Sequence, residues 1–254
     1  MDARTIQSLA AKNRIPRGTL EKDYTLSSLL SIIADFPGID KIVFKGGTSV
    51  KKMFFRDFRY SEDLDFNGLE DVTEDLIEHL RGNMGGLNVD FTEIIPKDRT
   101  RVSASFRVMY KSVNGTRSSV NVDMSMRMNL MMKPQTREML TDYEDLPGPY
   151  HIPVMDLEEI MAEKISAVTY SAHARHVYDV WFLHEHGVKI RPEMAKEKII
   201  TVHGEKFELE KFMDGVDKKR GNWVDGLRQY MPHGMPSFED ISEKVRGIVT
   251  DAMG

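Results

Sequence analysis

The chain of 254 residues contains no cysteine, so it can form neither disulfides nor thiolate metal sites. No apolar run approaches the ~20 residues that a membrane-spanning helix needs. The N-terminal sequence Met-Asp-Ala-Arg-Thr-Ile-Gln-Ser has no signal-peptide pattern, and neither internal repeats nor low-complexity tracts occur. These absences exclude disulfide-linked and membrane-spanning proteins, and we expect a cytoplasmic protein with no membrane partner.

Charge is unevenly distributed along a chain whose net charge is −5. Residues 61–78 hold eight acids and no lysine or arginine, whereas residues 97–117 hold six basic residues and one acid. The net charge argues against a dedicated nucleic-acid coat. The basic stretch either follows a phosphate backbone or forms a solvated hairpin, and the sequence leaves both alternatives open.

A glycine pair follows a short apolar segment in the first third of the chain. Ile42, Val43 and Phe44 predict a buried strand, and the Gly46-Gly-Thr-Ser49 turn should lead into a helix from Thr48 to about Phe55. Backbone N–H groups at such a turn can hold a phosphate group. The turn is therefore a candidate nucleotide-binding site.

Two aspartates alternate with apolar residues in the segment that follows. Leu64 and Phe66 predict a strand with one face in the core, which leaves Asp63 and Asp65 together on the other face. Adjacent carboxylates repel each other unless a cation lies between them, and Mg²⁺ prefers such oxygen ligands together with substrate phosphates. The alternative is a charged edge strand, but the glycine turn upstream favours metal-assisted transfer from a nucleoside triphosphate.

A β-hairpin is predicted around Asn114-Gly115, between strands at residues 103–112 and 118–126. In the second of these strands apolar residues alternate with polar ones, so Asp123 projects from the polar face. If this strand pairs near Asp63 and Asp65, three acids converge and Asp123 becomes a third metal ligand. Otherwise Asp123 is a solvated surface residue.

Two charged residues interrupt apolar stripes of predicted helices in the second half. Asp156 is the predicted N-cap of a helix that ends near Ser171, and Lys164 on this helix must reach either solvent or an anion such as a nucleotide phosphate. Asp179 lies in an apolar run of the next helix and needs a partner, for which Arg175 and Lys164 are candidates. A purely structural ion pair remains an alternative.

The order of predicted elements indicates an α+β fold in two parts. A helix over residues 18–35, the strands and the glycine turn fall within residues 1–150, and Pro147-Gly-Pro149 marks a boundary. Residues 151–254 are predicted to form a helical domain that contributes Lys164 and Asp179 to the site.

Several motifs resemble those of the AbiEii/AbiGii-type nucleotidyltransferase toxins. The signature is Lys45-Gly-Gly-Thr-Ser-Val50 followed by Arg59-Tyr-Ser-Glu-Asp-Leu-Asp65. Glu159-Ile-Met-Ala-Glu-Lys164 and Arg175-His-Val-Tyr-Asp179 resemble later motifs, and Glu21-Lys-Asp-Tyr24 is similar to the N-terminal helix. The resemblance spans about residues 18–187. It implies a DNA polymerase β-like nucleotidyltransferase core, with a small mixed sheet and flanking helices, followed by a helical C-terminal half.

The resemblance also implies roles for particular residues and partners. Asp63 and Asp65 would bind Mg²⁺, Lys164 would contact the nucleotide phosphates, and Asp179 would complete the catalytic site. Members act as toxins of toxin–antitoxin or phage-defence pairs, and some transfer nucleotides to the 3′ end of tRNA. The expected partners are therefore a nucleoside triphosphate, an RNA acceptor and a cognate antitoxin. The residues expected to hold the triphosphate are Lys45, Gly46, Gly47, Thr48 and Ser49.

Two alternatives to RNA modification remain open at this stage. The acceptor could be a protein or small-molecule hydroxyl, or the chain could be a transferase-like binding module without activity. The intact acid pair argues against the inactive module. A phosphohydrolase is a weaker third option because no water-activating histidine cluster is evident.

Overall fold

Residues 1–127 and 129–254 are described by the computed structural model of the protein. The chain separates into two units, one formed by Met1–Met128 with Pro134–Val154 and the other by Asn129–Lys133 with Met155–Gly254. The division after residue 154, rather than at residue 150, reflects the fact that His151–Val154 form a strand of the first unit's sheet.

The first unit contains a seven-stranded mixed sheet. Its strands are β1 (Ile42–Lys45), β2 (Leu64–Gly68), β3 (Asp90–Arg99), β4 (Ser103–Lys111), β5 (Arg117–Ser125), β6 (Gln135–Glu138) and β7 (His151–Val154). Their order across the sheet is β3-β4-β5-β2-β1-β7-β6. The pairs β2–β5 and β1–β7 are parallel and the other pairs are antiparallel. The predicted α+β class with a mixed sheet is thus confirmed.

The helices of the first unit are α1 (Ala3–Asn13), α2 (Arg17–Ala34), α3 (Gly46–Ser49) and α4 (Thr73–Asn83). Helix α2 is buried on nearly all sides, and its apolar residues share one core with strands β1, β2, β4 and β5. Its buried hydroxyls donate to carbonyl oxygens of the preceding turn, as Ser28 does to Tyr24 at 3.0 Å. These bonds satisfy polar groups that would otherwise destabilise a buried helix.

One face of strand β2 packs into this core. Leu64 and Phe66 are fully buried, and the Phe66 ring stacks on Phe44 of β1 with ring centroids 5.1 Å apart. The alternation predicted from the sequence is therefore correct, and it turns Asp65 to the opposite face of the sheet.

The second unit is helical. Its helices are α5 (Leu157–Tyr170), α6 (Arg175–Glu185), α7 (Pro192–His203), α8 (Leu209–Asp217), α9 (Trp223–Leu227) and α10 (Phe238–Met253). Asp156 caps α5 as predicted, since its carboxylate accepts a hydrogen bond from the Glu158 backbone N–H at 2.8 Å. None of the helices described is long and apolar enough to cross a membrane.

Candidate active site

The glycine pair allows two side chains to lie against the turn that follows β1. Gly46 has φ +76°, which L-residues with a side chain rarely adopt, and a Cβ there would overlap the Asp65 carboxylate. A Cβ on Gly47 would come within 2.7 Å of Nη2 of Arg59, which is 1% exposed. The two glycines therefore permit close approach of an acid and a buried arginine to the same turn.

The helix expected from Thr48 to Phe55 starts two residues earlier and changes its winding. Residues Val50–Phe54 form a π-helical turn, in which the N–H of Phe55 bonds the Val50 carbonyl at 2.9 Å. Such turns are often found at functional sites. The hydroxyls of Thr48 and Ser49 are engaged internally, with the Asp63 carbonyl and the Gly46 carbonyl respectively. The groups of this turn suited to bind phosphate are therefore its backbone N–H groups.

The sheet order brings three aspartates onto one face. Asp65 of β2 lies beside Asp123 of the parallel strand β5 and beside Lys45 of β1. Asp63, which immediately precedes β2, accepts a hydrogen bond from the Asn121 side-chain amide at 2.8 Å. Side chains on paired strands that share a face approach each other closely. The pairing of β2 with β5 thus brings Asp123 beside Asp63 and Asp65. This was the condition under which the sequence predicted Asp123 as a third metal ligand.

The pKa of Asp123 reflects first its burial and then its repulsion by Asp63. Burial by neighbouring groups and the charge of Asp63 raise this pKa above its ordinary value, whereas Lys97 lowers it in part. A cation bound among the carboxylates would relieve that repulsion. In residues 1–127 and 129–254, no three His, Cys, Asp or Glu side chains are arranged to hold a metal ion by themselves. Mg²⁺ is usually bound by one or two carboxylates, with substrate phosphates completing its shell, so a pair of these aspartates would be sufficient as protein ligands.

A buried lysine shapes the loop between the glycine turn and the acids. The Lys51 ammonium donates to the carbonyls of Arg56 at 3.0 Å and Phe58 at 3.1 Å, and it lies 4.1 Å from the ring centroid of Tyr60. Burial is the main cause that lowers the pKa of Lys51 to about 8. The Lys51 ammonium group therefore holds the loop that leads to Asp63 in place through hydrogen bonds to two of its carbonyl groups.

This lowered pKa predicts that stability rises with pH above about 8. Below that pH the folded state carries the cost of a buried ammonium group. Between about 8 and 10, folded Lys51 loses its proton while the unfolded chain keeps it, so the free energy of unfolding increases, by at most about 3 kcal/mol. Denaturant titrations at several pH values should show this slope, and Lys51→Met should reduce it. An unchanged slope in Lys51→Met would contradict the assignment of this pH dependence to the Lys51 ammonium group.

The second unit pairs Lys164 with Asp179. The Lys164 Nζ lies 2.7 Å from Oδ2 of Asp179, and the exposed fractions of the two side chains are 8% and 0%. Lys164 thus forms an ion pair with Asp179. The sequence had left open whether Lys164 reaches solvent or an anion, and whether Asp179 pairs with Arg175 or Lys164. Asp179 is fully buried, so in this structure its carboxylate is directed to the Lys164 ammonium group rather than to solvent.

A second buried ion pair lies in the same motif. Glu159 binds Lys198 at 2.6 Å and accepts the backbone N–H groups of Met131 and Met132, both at 2.9 Å. The sequence analysis assigned no role to this glutamate. These bonds hold residues 129–133 against helix α5. They also provide the partners that a fully buried carboxylate needs.

Comparison with known proteins decides the family. The sequence model of the family described as "Nucleotidyl transferase AbiEii toxin, Type IV TA system" matches residues 28–244. This chain belongs to the AbiEii family. The AbiEii-family protein is therefore a nucleotidyltransferase of a toxin family, which acts on nucleoside triphosphates and is paired with antitoxins. No curated protein sequence is significantly similar to the chain.

Solved structures support the fold of this AbiEii-family protein. MenT4, a nucleotidyltransferase toxin of Mycobacterium tuberculosis H37Rv, superposes with a TM-score of 0.69 at 21% identity, covering 92% of this chain and 85% of that one. JHP933 of Helicobacter pylori superposes with a TM-score of 0.62 at 17% identity, covering 94% and 93%. At these identities the likeness concerns the fold alone.

Two residues of the AbiEii-family site lacked an assigned role in the sequence analysis. Asn121 lies two residues before Asp123 on the same strand, but its bond to Asp63 depends on the pairing of β5 with β2. Arg59 stands in the signature motif, yet no periodicity indicated that an arginine would be buried against Gly47. Buried charges are the residues that local sequence patterns predict least well, because their partners are distant in the chain.

Proposed function

We propose that this protein transfers a nucleoside monophosphate from a nucleoside triphosphate to the 3′ end of an RNA, with tRNA as the acceptor, and releases pyrophosphate. The observation that carries the proposal is the acid face beside the glycine turn. Asp65 lies against Gly46 on one side and beside Asp123 on the other. A triphosphate bound at the turn would therefore present its phosphates to the carboxylates.

Each residue has a distinct proposed task. The backbone of Gly46-Gly47 would bind the triphosphate, with Lys45, Thr48 and Ser49 shaping the turn. Asp63 and Asp65 would hold Mg²⁺, with Asp123 beside them as the third acid of the face. When bound, the ion lowers the pKa of the acceptor hydroxyl and neutralises charge on the pyrophosphate. Lys164, held by Asp179, would contact the phosphates and stabilise the charge that develops during transfer.

The proposal extends to the cellular setting of the reaction. Nucleoside triphosphates and RNA meet in the cytoplasm, where we propose that the protein acts as the toxin of a toxin–antitoxin or phage-defence pair. A protein hydroxyl and a small molecule are the alternative acceptors, because the family of an enzyme does not determine its substrate.

Label transfer tests this function directly. Purified protein is incubated with total RNA, Mg²⁺ and each α-³²P-labelled nucleoside triphosphate in turn, with EDTA in a parallel set. We expect label in tRNA-sized RNA from one nucleotide, and its loss with EDTA. Label in protein or in small molecules would retain the chemistry and overturn the RNA acceptor. Absence of transfer to any acceptor would contradict the proposed activity.

A further inference from the structure

Three of the six cations in the basic stretch at residues 97–117, which spans strands β3, β4 and β5, form ion pairs. Arg99 binds Asp71 at 2.5 Å and Glu74 at 2.9 Å. Two more cations of the stretch have acidic partners: Lys111 with Asp90, and Arg117 with Glu93. These three basic residues are therefore accounted for by ion pairs within the hairpin and its neighbours.

Two exposed cations next to the acid face have no such partner. In the part of the chain that the structure describes, the side chains of Lys97 and Arg107 are exposed and form no ion pair or hydrogen bond. Arg107 of β4 lies directly opposite Asn121 of β5, the residue whose amide binds Asp63. Lys97 follows Pro96 of β3, which lies opposite Phe106 of β4, so it is on the strand next to the one that carries Arg107. Both cations are thus held beside the acids without neutralising them by contact.

The order of the strands gives these cations a position distinct from that of the glycine turn. The turn follows β1, on one side of β2, whereas β5, β4 and β3 extend the sheet on the other side. Two strand spacings separate β4 from β2, a distance of about 10 Å. The acids therefore lie between two places suited to phosphates, one at the turn and one at Lys97 and Arg107.

The other side chains on this sheet face suit a phosphate backbone better than a protein surface. Opposite Asp123 lies Ser105, and Ser119 lies opposite Met109. Hydroxyl, amide and basic groups are the usual contacts to phosphate and sugar. A protein partner would favour an apolar centre rich in aromatic residues, and the face offers only Ile95 and Met109 as apolar side chains.

We propose that Lys97 and Arg107 bind the phosphate backbone of a single-stranded RNA acceptor and direct its 3′ end to the acids. This inference rests on the proposed RNA acceptor and adds the surface that holds it. An extended strand that ends at Asp63 and Asp65 would pass over Asn121 and Arg107, since these residues form one row across the sheet.

Binding without catalysis tests the surface separately from the reaction. The affinity for a short fluorescein-labelled single-stranded RNA is measured by anisotropy at several salt concentrations, with no nucleotide present. Lys97→Ala/Arg107→Ala should weaken binding about tenfold and reduce the slope of log K against log salt by about 1.4, the value for two lost phosphate contacts. The matched control Lys111→Ala/Arg117→Ala removes the same charge from the same hairpin and should change both quantities far less. Lys97→Arg/Arg107→Lys should keep both near wild type.

Steady-state label transfer then distinguishes the possible failures. The double alanine variant should raise the KM for RNA and leave the KM for the nucleotide unchanged. If wild-type protein labels RNA and the double alanine variant binds and reacts like wild type, the surface assignment is overturned while the proposed function stands. If wild-type protein binds no RNA and labels a protein instead, the RNA acceptor and this inference both fail.

Discussion

Asp63→Asn is expected to lower the rate of nucleotidyl transfer by about 1000-fold or more while the protein remains folded. The substitution removes one of the two charges proposed to hold Mg²⁺, and loss of metal-dependent charge stabilisation of about 4 kcal/mol corresponds to that factor. The fold should persist because an asparagine oxygen can still accept the hydrogen bond that Asn121 donates to Oδ1 of Asp63. The rate of label transfer and the midpoint of chemical unfolding measure the two parts of this prediction.

Asp90→Asn is the matched control for this experiment. Asp90 is an exposed aspartate of the same sheet, but it lies on the edge strand β3 and pairs with Lys111 at 3.4 Å. Its substitution should leave the rate of transfer close to wild type, because Asp90 has no proposed part in the reaction. The protein should also stay folded, since an exposed ion pair contributes little to stability. Wild-type turnover in Asp63→Asn would show that Asp63 holds no essential metal ion.

The second large effect is expected from the buried pair of the helical unit. Asp179→Ala removes the carboxylate that pairs with the buried Lys164 ammonium group, which should lower the free energy of unfolding by about 3–5 kcal/mol. Chemical denaturation monitored by circular dichroism measures the loss. We expect a smaller loss in Lys164→Met/Asp179→Leu, because that double variant removes both charges and fills the site with apolar groups of similar size.

The double variant also separates structure from catalysis. If Lys164 contacts the nucleotide phosphates as proposed, the double variant should be folded yet transfer nucleotide much more slowly than wild type. A stable double variant with wild-type transfer would show that the pair is purely structural, which is the alternative that the sequence left open.

Much of the local structure followed from the sequence because its determinants are local. Alternation of Leu64 and Phe66 with Asp63 and Asp65 predicts a strand with a core face and an acid face, and the structure agrees. Asn114-Gly115 joins β4 to β5, and Asp156 caps α5. Turn chemistry, capping and side-chain periodicity each depend on a few neighbouring residues.

Local patterns were less accurate where packing sets the winding of the backbone. The helix after the glycine pair begins at Gly46 and continues as a π-helical turn to Phe54, whereas the pattern predicted a helix from Thr48 to Phe55. The contact between Gly46 and Asp65 requires a backbone conformation at the turn that hydrophobic periodicity does not report.

The sequence by itself determined the family, the α+β class, the glycine turn and the acid pair, because these are contained in contiguous motifs. Tertiary structure alone decided that β5 lies beside β2, which brings Asp123 and Asn121 to the acids. It also decided that Lys164 pairs with Asp179 and that Lys97 and Arg107 keep no acidic partner among the residues described. The physical reason is that strand order and ion pairing join residues far apart in the chain, whose meeting depends on packing of the whole unit rather than on any local pattern.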